Sequence, residues 1–392
     1  MAVHLQHVAT VVPSASYPQA TAGDVMRRWI GGDRRTDLLL NRIYARSAID
    51  RRQSVLEDFL DDDGRRAARS ALVPVHDDGA APAARVPPSR PGGGFFVDDA
   101  GGFRSPTTAE RNARYREEAA PLFVEAGRHA LAAVDDVDVN DVTHLITVSC
   151  TGFYAPGPDL DVVHGLGLRP TTERYHVGFM GCYAAFPALR MAHAFCRADP
   201  DAVVLVVATE LCSLHLQPDR AVDPIVAASV FADGAAAAIV SSRPPSGRAL
   251  RMERFVDGLA PEGASDMAWT IGDHGFEMVL SSYVPKVVGE KAHAALDPLL
   301  EGSGVSIENV SRWAVHPGGR AILDRLEEGL VLPPEALAAS RSVLRRYGNM
   351  SSATVLFVLA ELMADPGPID EPLVAMAFGP GLTVASGLFT SV

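Results

Sequence analysis

Hydrophobic positions along the chain follow two patterns, short apolar runs of strand length and longer stretches with helical spacing. The runs Val203–Ala208 and Ala235–Val240 lack alternating polar positions, which is typical of strands covered on both faces of a sheet. Further strands are predicted at Val8–Val12, Leu145–Ser149, Trp313–Val315, Leu373–Ala377 and Leu382–Leu388. Helices are predicted at Arg35–Ile49, from the N-cap Thr107 towards Ala133, and at Cys182–Arg197, Val284–Leu300 and Asn349–Leu362. The alternation of predicted strands and helices along the chain predicts an α/β fold.

A weak internal repeat suggests two similar halves. In the first half, a predicted strand is followed by a helix that Cys182 leads. In the second half, a strand ends at His316 and is followed, at a similar interval, by a helix that Asn349 leads. We therefore predict two related halves, residues 1–242 and 243–392. Their strand ends and helix starts should bring Cys182, His316 and Asn349 to one cavity.

Residues 58–105 interrupt this pattern, because their clustered prolines and glycines exclude a long regular element. We expect a surface excursion there and assign it no role.

The composition limits the function classes. A length of 392 residues, 47% of them hydrophobic, predicts two to three domain-sized units with a large core. The net charge of −13 argues against nucleic-acid binding, since phosphate contacts need clustered basic residues. The 4 cysteines form no CxxC pair, which predicts a reducing cytoplasm and neither disulfides nor a zinc ribbon. No signal-peptide pattern is visible, and no apolar run approaches the ~20 residues of a membrane span.

Cys182 is the strongest candidate for a nucleophile. It lies among small residues in Gly178–Phe186, where backbone and ligand can approach closely. A helix N-terminus and a protonated histidine nearby would both favour the thiolate. The alternative is a buried cysteine at a tight helix packing point.

His316 and Asn349 have weaker individual signals. His316 belongs to a stiff His-Pro-Gly-Gly loop after a strand, and could equally be a histidine that only binds backbone. Asn349 could be a plain helix N-cap. Together with Cys182, however, they supply a thiolate nucleophile and two donors for a developing oxyanion.

Other motifs give no sign of a bound metal or cofactor. His4 and His7 could chelate a metal, but their position at the terminus favours a solvated or strand role. The sequence has neither a GxGxxG motif after a strand nor a Walker A loop. We therefore predict no metal and no cofactor.

Four segments together resemble the type III polyketide synthases, the chalcone synthase-like group. They are Gly178–Phe186, Trp313–Ala321, Tyr347–Ser352 and Phe378–Thr383. The resemblance implies a thiolase fold, with two duplicated αβαβα halves in five layers, and a homodimer. It implies that Cys182 carries the acyl chain, while His316 and Asn349 support malonyl-CoA decarboxylation.

The resemblance also implies binding residues. Those expected at CoA are Arg42 and Arg46 on a basic helix, and Gly318, Gly319 and Ala321 beside the pantetheine. Those expected at the acyl and polyketide chain are Cys150, Thr151, Ala155, Cys212, the gating Phe231, Trp269, Met278 and Gly381. Five of these positions differ from the residues of plant chalcone synthases. They are Cys150, Cys212, Trp269, Met278 and Ala155. At the position of Ala155, plant enzymes have a methionine that enters the partner's site. The pattern is most similar to bacterial alkylresorcinol and alkylpyrone synthases.

We therefore expect acyl-CoA and malonyl-CoA as substrates, with an aliphatic starter and an alkylpyrone or alkylresorcinol product. One alternative is an acetyl, malonyl or aromatic starter, leading to a tetrahydroxynaphthalene- or phloroglucinol-like product. A second is an initiating ketoacyl synthase, and a third is a non-catalytic partner subunit of the same fold.

Overall fold

The computed structural model describes residues 1–60, 83–90, 94–98, 102–263, 265–281, 283–365 and 367–392. Its strands are β1 (His4–Pro13), β2 (Ser16–Pro18), β3 (Arg51–Gln53), β4 (Ala84–Val86), β5 (His144–Ser149), β6 (Glu173–Gly178), β7 (Val203–Leu211), β8 (Asp233–Ser241), β9 (Leu250–Leu259), β10 (Met267–Gly272), β11 (Gly275–Leu280), β12 (Arg312–Val315), β13 (Pro372–Gly379) and β14 (Thr383–Ser391). Its α-helices are α1 (Gln19–Ile30), α2 (Arg34–Arg46), α3 (Thr108–Ala132), α4 (Pro158–Leu166), α5 (Ala185–Ala198), α6 (Val222–Val230), α7 (Val284–Leu300), α8 (Arg320–Leu330), α9 (Ala338–Tyr347) and α10 (Thr354–Ala364).

The principal sheet has ten strands and repeats one topology. In the first half, β6, β5 and β7 are parallel, and β8 and β1 continue the sheet antiparallel. In the second half, β12 and β13 are parallel, and β14 and β9 continue it antiparallel. Two register pairs, His4 with Arg251 and Leu5 with Leu250, join the halves. The predicted boundary at residue 242 falls between β8 and β9.

Five layers result from the alternation of side chains along these strands. Val204 and Val206 of β7 belong to a central core that contains α5 and α10, whereas Leu205 and Val207 of the same strand face the outer helix α3. In the second half, Ala375 of β13 joins the same central core, while its neighbours face α7 and α8. The predicted duplicated, five-layered α/β fold is confirmed.

The predicted and observed helix starts agree at α3 and differ at α5 and α10. Helix α3 begins as predicted, with Thr107 and Glu110 forming a reciprocal capping box. Cys182 and Asn349 do not lead their helices. Helix α5 starts at Ala185, and a 3-10 turn separates Asn349 from α10. Both residues therefore lie in turns before the helices, still within the central layer.

Several elements were not predicted, including α1, β6, α4, α6, α8, α9 and the β10–β11 hairpin. Most of the excursion predicted at residues 58–105 lies outside the described residues, and β4 is its one described strand. None of the described helices is long and apolar enough to cross a membrane.

Helices α7 and α8 approach closely through two glycines. A Cβ atom on Gly329 would lie 2.4 Å from the backbone oxygen of Gly289, and a Cβ atom on Gly289 would lie 2.8 Å from the backbone oxygen of Arg325. Backbone atoms of a packed helix cannot move aside as a flexible side chain can, so these positions fix the spacing of the two helices.

We predict that Gly329→Ala lowers the free energy of unfolding by about 1–3 kcal/mol, the usual range for overpacking. This loss should exceed the gain of up to ~1 kcal/mol from removing a glycine from a helix. Urea unfolding followed by circular dichroism measures it. Gly247→Ala is the control, because no atom lies within 4 Å of its added Cβ. Equal or greater stability of Gly329→Ala would contradict the packing argument.

Candidate active site

A cavity of about 310 Å³ brings together most of the predicted site residues from both halves. The predicted residues that line it are Arg46, Cys150, Thr151, Cys182, Cys212, Phe231, Trp269, Met278, His316, Gly318, Gly319, Ala321 and Asn349. The walls also include apolar residues that were not predicted, among them Ile43, Leu280, Val284 and Phe378. The cavity can therefore hold an apolar group beside a thiol, an imidazole and an amide.

Three predicted residues lie outside this lining. Arg42 is exposed on α2, one turn before Arg46. Ala155 is exposed and precedes a cis peptide bond to Pro156. Gly381 is next to Pro380, which does line the cavity. The roles assigned to Arg42, Ala155 and Gly381 stay predictions.

The turn that carries Cys182 is fixed by its neighbours. Gly181 has φ of 79°, which glycine adopts without strain, and a Cβ atom there would lie 2.3 Å from Cδ of Pro380. The Gly181 N–H donates to Sγ of Cys150 at 2.9 Å. Cys182 is thus held where the two halves touch.

His316 follows β12 directly, and its backbone N–H donates to the Met376 oxygen of β13 at 2.8 Å. Its side chain is buried. Neither ring nitrogen has a hydrogen-bond partner among the described residues. A buried imidazole without a partner is costly, so a ligand in the cavity that His316 lines would gain by bonding to its ring.

Asn349 is held in a defined orientation. Its backbone N–H donates to the Val230 oxygen at 2.8 Å. Its Oδ1 accepts from the Ser351 N–H at 2.9 Å and from the Thr354 hydroxyl at 3.3 Å, which turns Nδ2 towards Gly318, whose oxygen it reaches at 3.3 Å. Because an amide carries two N–H groups, the second N–H can donate to the Cys182 sulfur or to a ligand beside it.

Burial opposes charge on both reactive groups. It raises the pKa of Cys182 to about 11, although hydrogen bonds with the Ser351 and Asn349 side chains act in the opposite direction. It lowers the pKa of His316 to about 3. Desolvation therefore acts against the thiolate expected at a helix start, and that thiolate stays a prediction. A proton transfer from Cys182 to His316 would form two opposite charges, which attract strongly in apolar surroundings.

Glu210 is a buried residue that sequence reasoning missed. Its carboxylate accepts from the Cys150 N–H at 3.2 and 3.0 Å, from the Thr151 hydroxyl at 2.8 Å and from the Ser352 hydroxyl. Burial raises its pKa to about 7, and these hydrogen bonds act against the rise. Glu210 joins the loop after β5 to the turn after Asn349. An acidic residue inside the apolar run of β7 was the available signal.

Among the residues that the structure describes, no three His, Cys, Asp or Glu side chains lie close enough to hold a metal ion. The absence of a cofactor stays a prediction.

Comparisons with known proteins place the chain among similar sequences over most of its length. The family models "Chalcone and stilbene synthases, N-terminal domain" and "C-terminal domain" match residues 100–244 and 252–392. The 1,3,6,8-tetrahydroxynaphthalene synthase of Streptomyces griseus is 36% identical over 275 residues, covering 70% of this chain and 73% of that protein. The alpha-pyrone synthesis polyketide synthase-like Pks18 of Mycobacterium tuberculosis is 33% identical over 294 residues, covering 73% and 74%.

Solved structures are similar over the whole chain. PKS-I from the brown alga Ectocarpus siliculosus has a TM-score of 0.86 and 28% identity, and the match covers 100% of this chain and 98% of that one. The 1,3,6,8-tetrahydroxynaphthalene synthase of Streptomyces coelicolor A3(2) has a TM-score of 0.81 and 27% identity, with 99% of both chains covered. These similarities agree with the five-layered thiolase-like architecture.

If His316 accepts the Cys182 proton, His316→Gln should lower the rate of Cys182 alkylation by iodoacetamide at pH 7 by roughly tenfold or more. The pH at which alkylation reaches half its maximum should rise, because the thiol must then ionise without a partner. Peptide mass spectrometry identifies the alkylated cysteine. The control is His274→Gln, the same change at an exposed turn. An unchanged pH profile in His316→Gln would exclude this proton transfer.

Proposed function

The chain belongs to the chalcone and stilbene synthase family of type III polyketide synthases, and we propose how its residues extend an acyl-CoA starter with malonyl-CoA and cyclise the product. The observation that carries the proposal is the convergence of Cys182, His316 and Asn349 on one largely apolar cavity. Neither an initiating ketoacyl synthase nor a non-catalytic partner subunit is favoured, since both family models match and all three side chains line the cavity.

In the loading step, the Cys182 thiol gives its proton to His316 and its sulfur attacks the carbonyl carbon of the acyl-CoA. A new thioester forms on Cys182. The bond from the carbonyl carbon to CoA sulfur breaks, and CoA leaves as a thiol after taking the proton from His316. Cys182 and His316 are then both uncharged, which is the state that their burial favours.

In the extension step, malonyl-CoA loses carbon dioxide, and the electron pair of the broken bond forms an enolate. The Asn349 N–H that does not bind Gly318 and the N–H of neutral His316 donate to the enolate oxygen, where charge develops. The enolate carbon attacks the Cys182 thioester, forms the new carbon–carbon bond and releases the thiolate. The lengthened acyl-CoA can return to Cys182 for another round.

CoA would enter beside α2 and the loop that precedes α8. Arg46 of α2 lines the cavity, and so do Gly318, Gly319 and Ala321. Arg42 is four residues earlier on the same helix, so both guanidinium groups can face the phosphates outside the cavity. The glycines leave room for the pantetheine to pass close to the backbone.

The starter is proposed to be a medium or long aliphatic acyl group. Met278 is a flexible side chain in the cavity wall. The side chains of Cys150 and Cys212 are small and leave room for an acyl group. The Trp269 indole, which is paired with Met278 across the β10–β11 hairpin, limits the cavity at the same wall. An acyl tail would gain roughly 0.8 kcal/mol per buried CH₂ against such walls. An alkylpyrone or alkylresorcinol would follow after two or three extensions.

A malonyl or acetyl starter is the second candidate. The similarity to the Streptomyces griseus tetrahydroxynaphthalene synthase and the bulk of Trp269 favour it, since a blocked cavity suits a short starter. We also propose a cytoplasmic homodimer. The exposed Ala155 loop supports a second copy, because by resemblance this position reaches the partner's site.

The starter class is tested by kcat/KM for acetyl-, hexanoyl-, lauroyl-, benzoyl- and coumaroyl-CoA, with products identified by mass spectrometry. We expect the aliphatic starters to exceed the aromatic ones by roughly tenfold or more, given discrimination of ~1–3 kcal/mol by pocket shape. Cys182→Ala should abolish the acyl adduct seen by intact mass. A preference for malonyl- or acetyl-CoA would support the second candidate instead, and an adduct that persists in Cys182→Ala would remove Cys182 as the nucleophile.

For CoA, Arg46→Ala should raise KM for malonyl-CoA by roughly fivefold and leave kcat nearly unchanged, since an exposed ion pair contributes up to ~1 kcal/mol. The rise should shrink at high salt, because exposed charges are screened. Arg35→Ala, on the same helix but away from the cavity, is the control. Equal KM values for both variants would place CoA elsewhere.

A further inference from the structure

A second cavity of about 450 Å³ lies behind one wall of the active-site cavity. The two cavities share the wall residues Cys212, Phe231, Trp269 and Met278. Trp269 and Met278 belong to the β10–β11 hairpin, where they are paired across the two strands. The position of this hairpin therefore determines whether the two spaces are separate.

His215 lies where the wall is anchored. It lines the second cavity, whereas its hydrogen-bond partner Thr151 lines the first. The Nε2 of His215 lies 2.7 Å from the Thr151 backbone oxygen. On the other side of the ring, Nδ1 accepts from the Phe276 backbone N–H of β11 at 3.0 Å. One imidazole thus ties the hairpin to the loop after β5.

These contacts determine the tautomer of the ring. Because Nδ1 accepts from a backbone N–H, the single proton of neutral His215 must lie on Nε2 and point at the Thr151 oxygen. The ring is buried, which lowers its pKa to about 3, and the positive charge of Arg111 acts in the same direction. Neutral His215 is therefore a fixed connection rather than a titrating group.

Aromatic contacts reinforce the connection. The Phe276 ring stacks on His215 at 4.0 Å between centroids, and the Trp269 ring meets His215 edge-on at 5.7 Å. The Trp269 indole N–H also donates to the Cys150 backbone oxygen at 2.9 Å. Two successive carbonyl groups, those of Cys150 and Thr151, are thus held by Trp269 and His215.

We propose that His215 is a positioning residue for starter selection, which holds the β10–β11 hairpin so that Trp269 and Met278 keep the two cavities apart. The proposal rests on the proposed function, because it concerns which acyl groups reach Cys182. His215 does not touch the reacting atoms. Its loss should loosen the wall and admit longer acyl chains into the second cavity.

The test compares His215→Phe, which keeps an aromatic ring but loses both hydrogen bonds, with His215→Gln, which can still donate and accept. The readout is the ratio of kcat/KM for lauroyl-CoA to that for acetyl-CoA. We expect this ratio to rise three- to tenfold in His215→Phe and less than twofold in His215→Gln. His193→Phe is the control, since His193 is on α5 and lines neither cavity.

An unchanged ratio in folded His215→Phe would overturn the proposal, as would an equal change in His193→Phe. If His215→Phe does not fold, Trp269→Phe replaces it, because it removes the indole N–H to Cys150 and leaves a smaller ring in the wall. An unchanged ratio there would also overturn the proposal. The same starter preference can be measured as acyl loading of Cys182 by intact mass, which does not depend on a finished product. This measurement separates the role of His215 from the proposed function. Altered loading without any polyketide product would contradict the proposed function and still support the role of His215.

Discussion

The active site depends on the burial of α5 and α10 between the two faces of the folded sheet. These helices contact both halves, so the turns that precede them cannot move independently of the strands around them. Cys182 lies in one turn and Asn349 in the other, while His316 enters from the end of β12. The three groups meet because the same strand and helix arrangement occurs twice.

Burial also determines the charge state of the interior. The pKa of Glu210 is raised to about 7 and that of Asp233 to about 6, while those of His215 and His316 are lowered to about 3. In each case desolvation is the largest cause, and it shifts the equilibrium towards the neutral form. The groups differ in their partners. Glu210, Asp233 and His215 are hydrogen-bonded to protein, whereas the ring of His316 has no partner among the described residues and can bind a substrate.

The sequence predicted which residues meet in the cavity better than it predicted their surroundings. Cys182, His316 and Asn349 were found because each follows or precedes an apolar run, and runs of that kind are visible in one dimension. Glu210 and His215 were missed as site residues because their importance comes from hydrogen bonds to distant segments. The helix starts were misplaced for a related reason. Close contact with the second half, such as that of Gly181 with Pro380, keeps the chain in a turn where helical spacing alone would extend the helix.

The order of the strands has a consequence for synthesis on the ribosome. Strand β14 follows every other strand in the described chain, yet it is in the interior of the sheet, between β13 and β9. Strand β9 emerges much earlier and has only a two-pair contact with β1 until β14 arrives. Pro380, which packs against the turn that carries Cys182, begins the short 3-10 turn before β14. A nascent chain can therefore organise the turn that carries Cys182 only after β14 and the residues just before it have been synthesised.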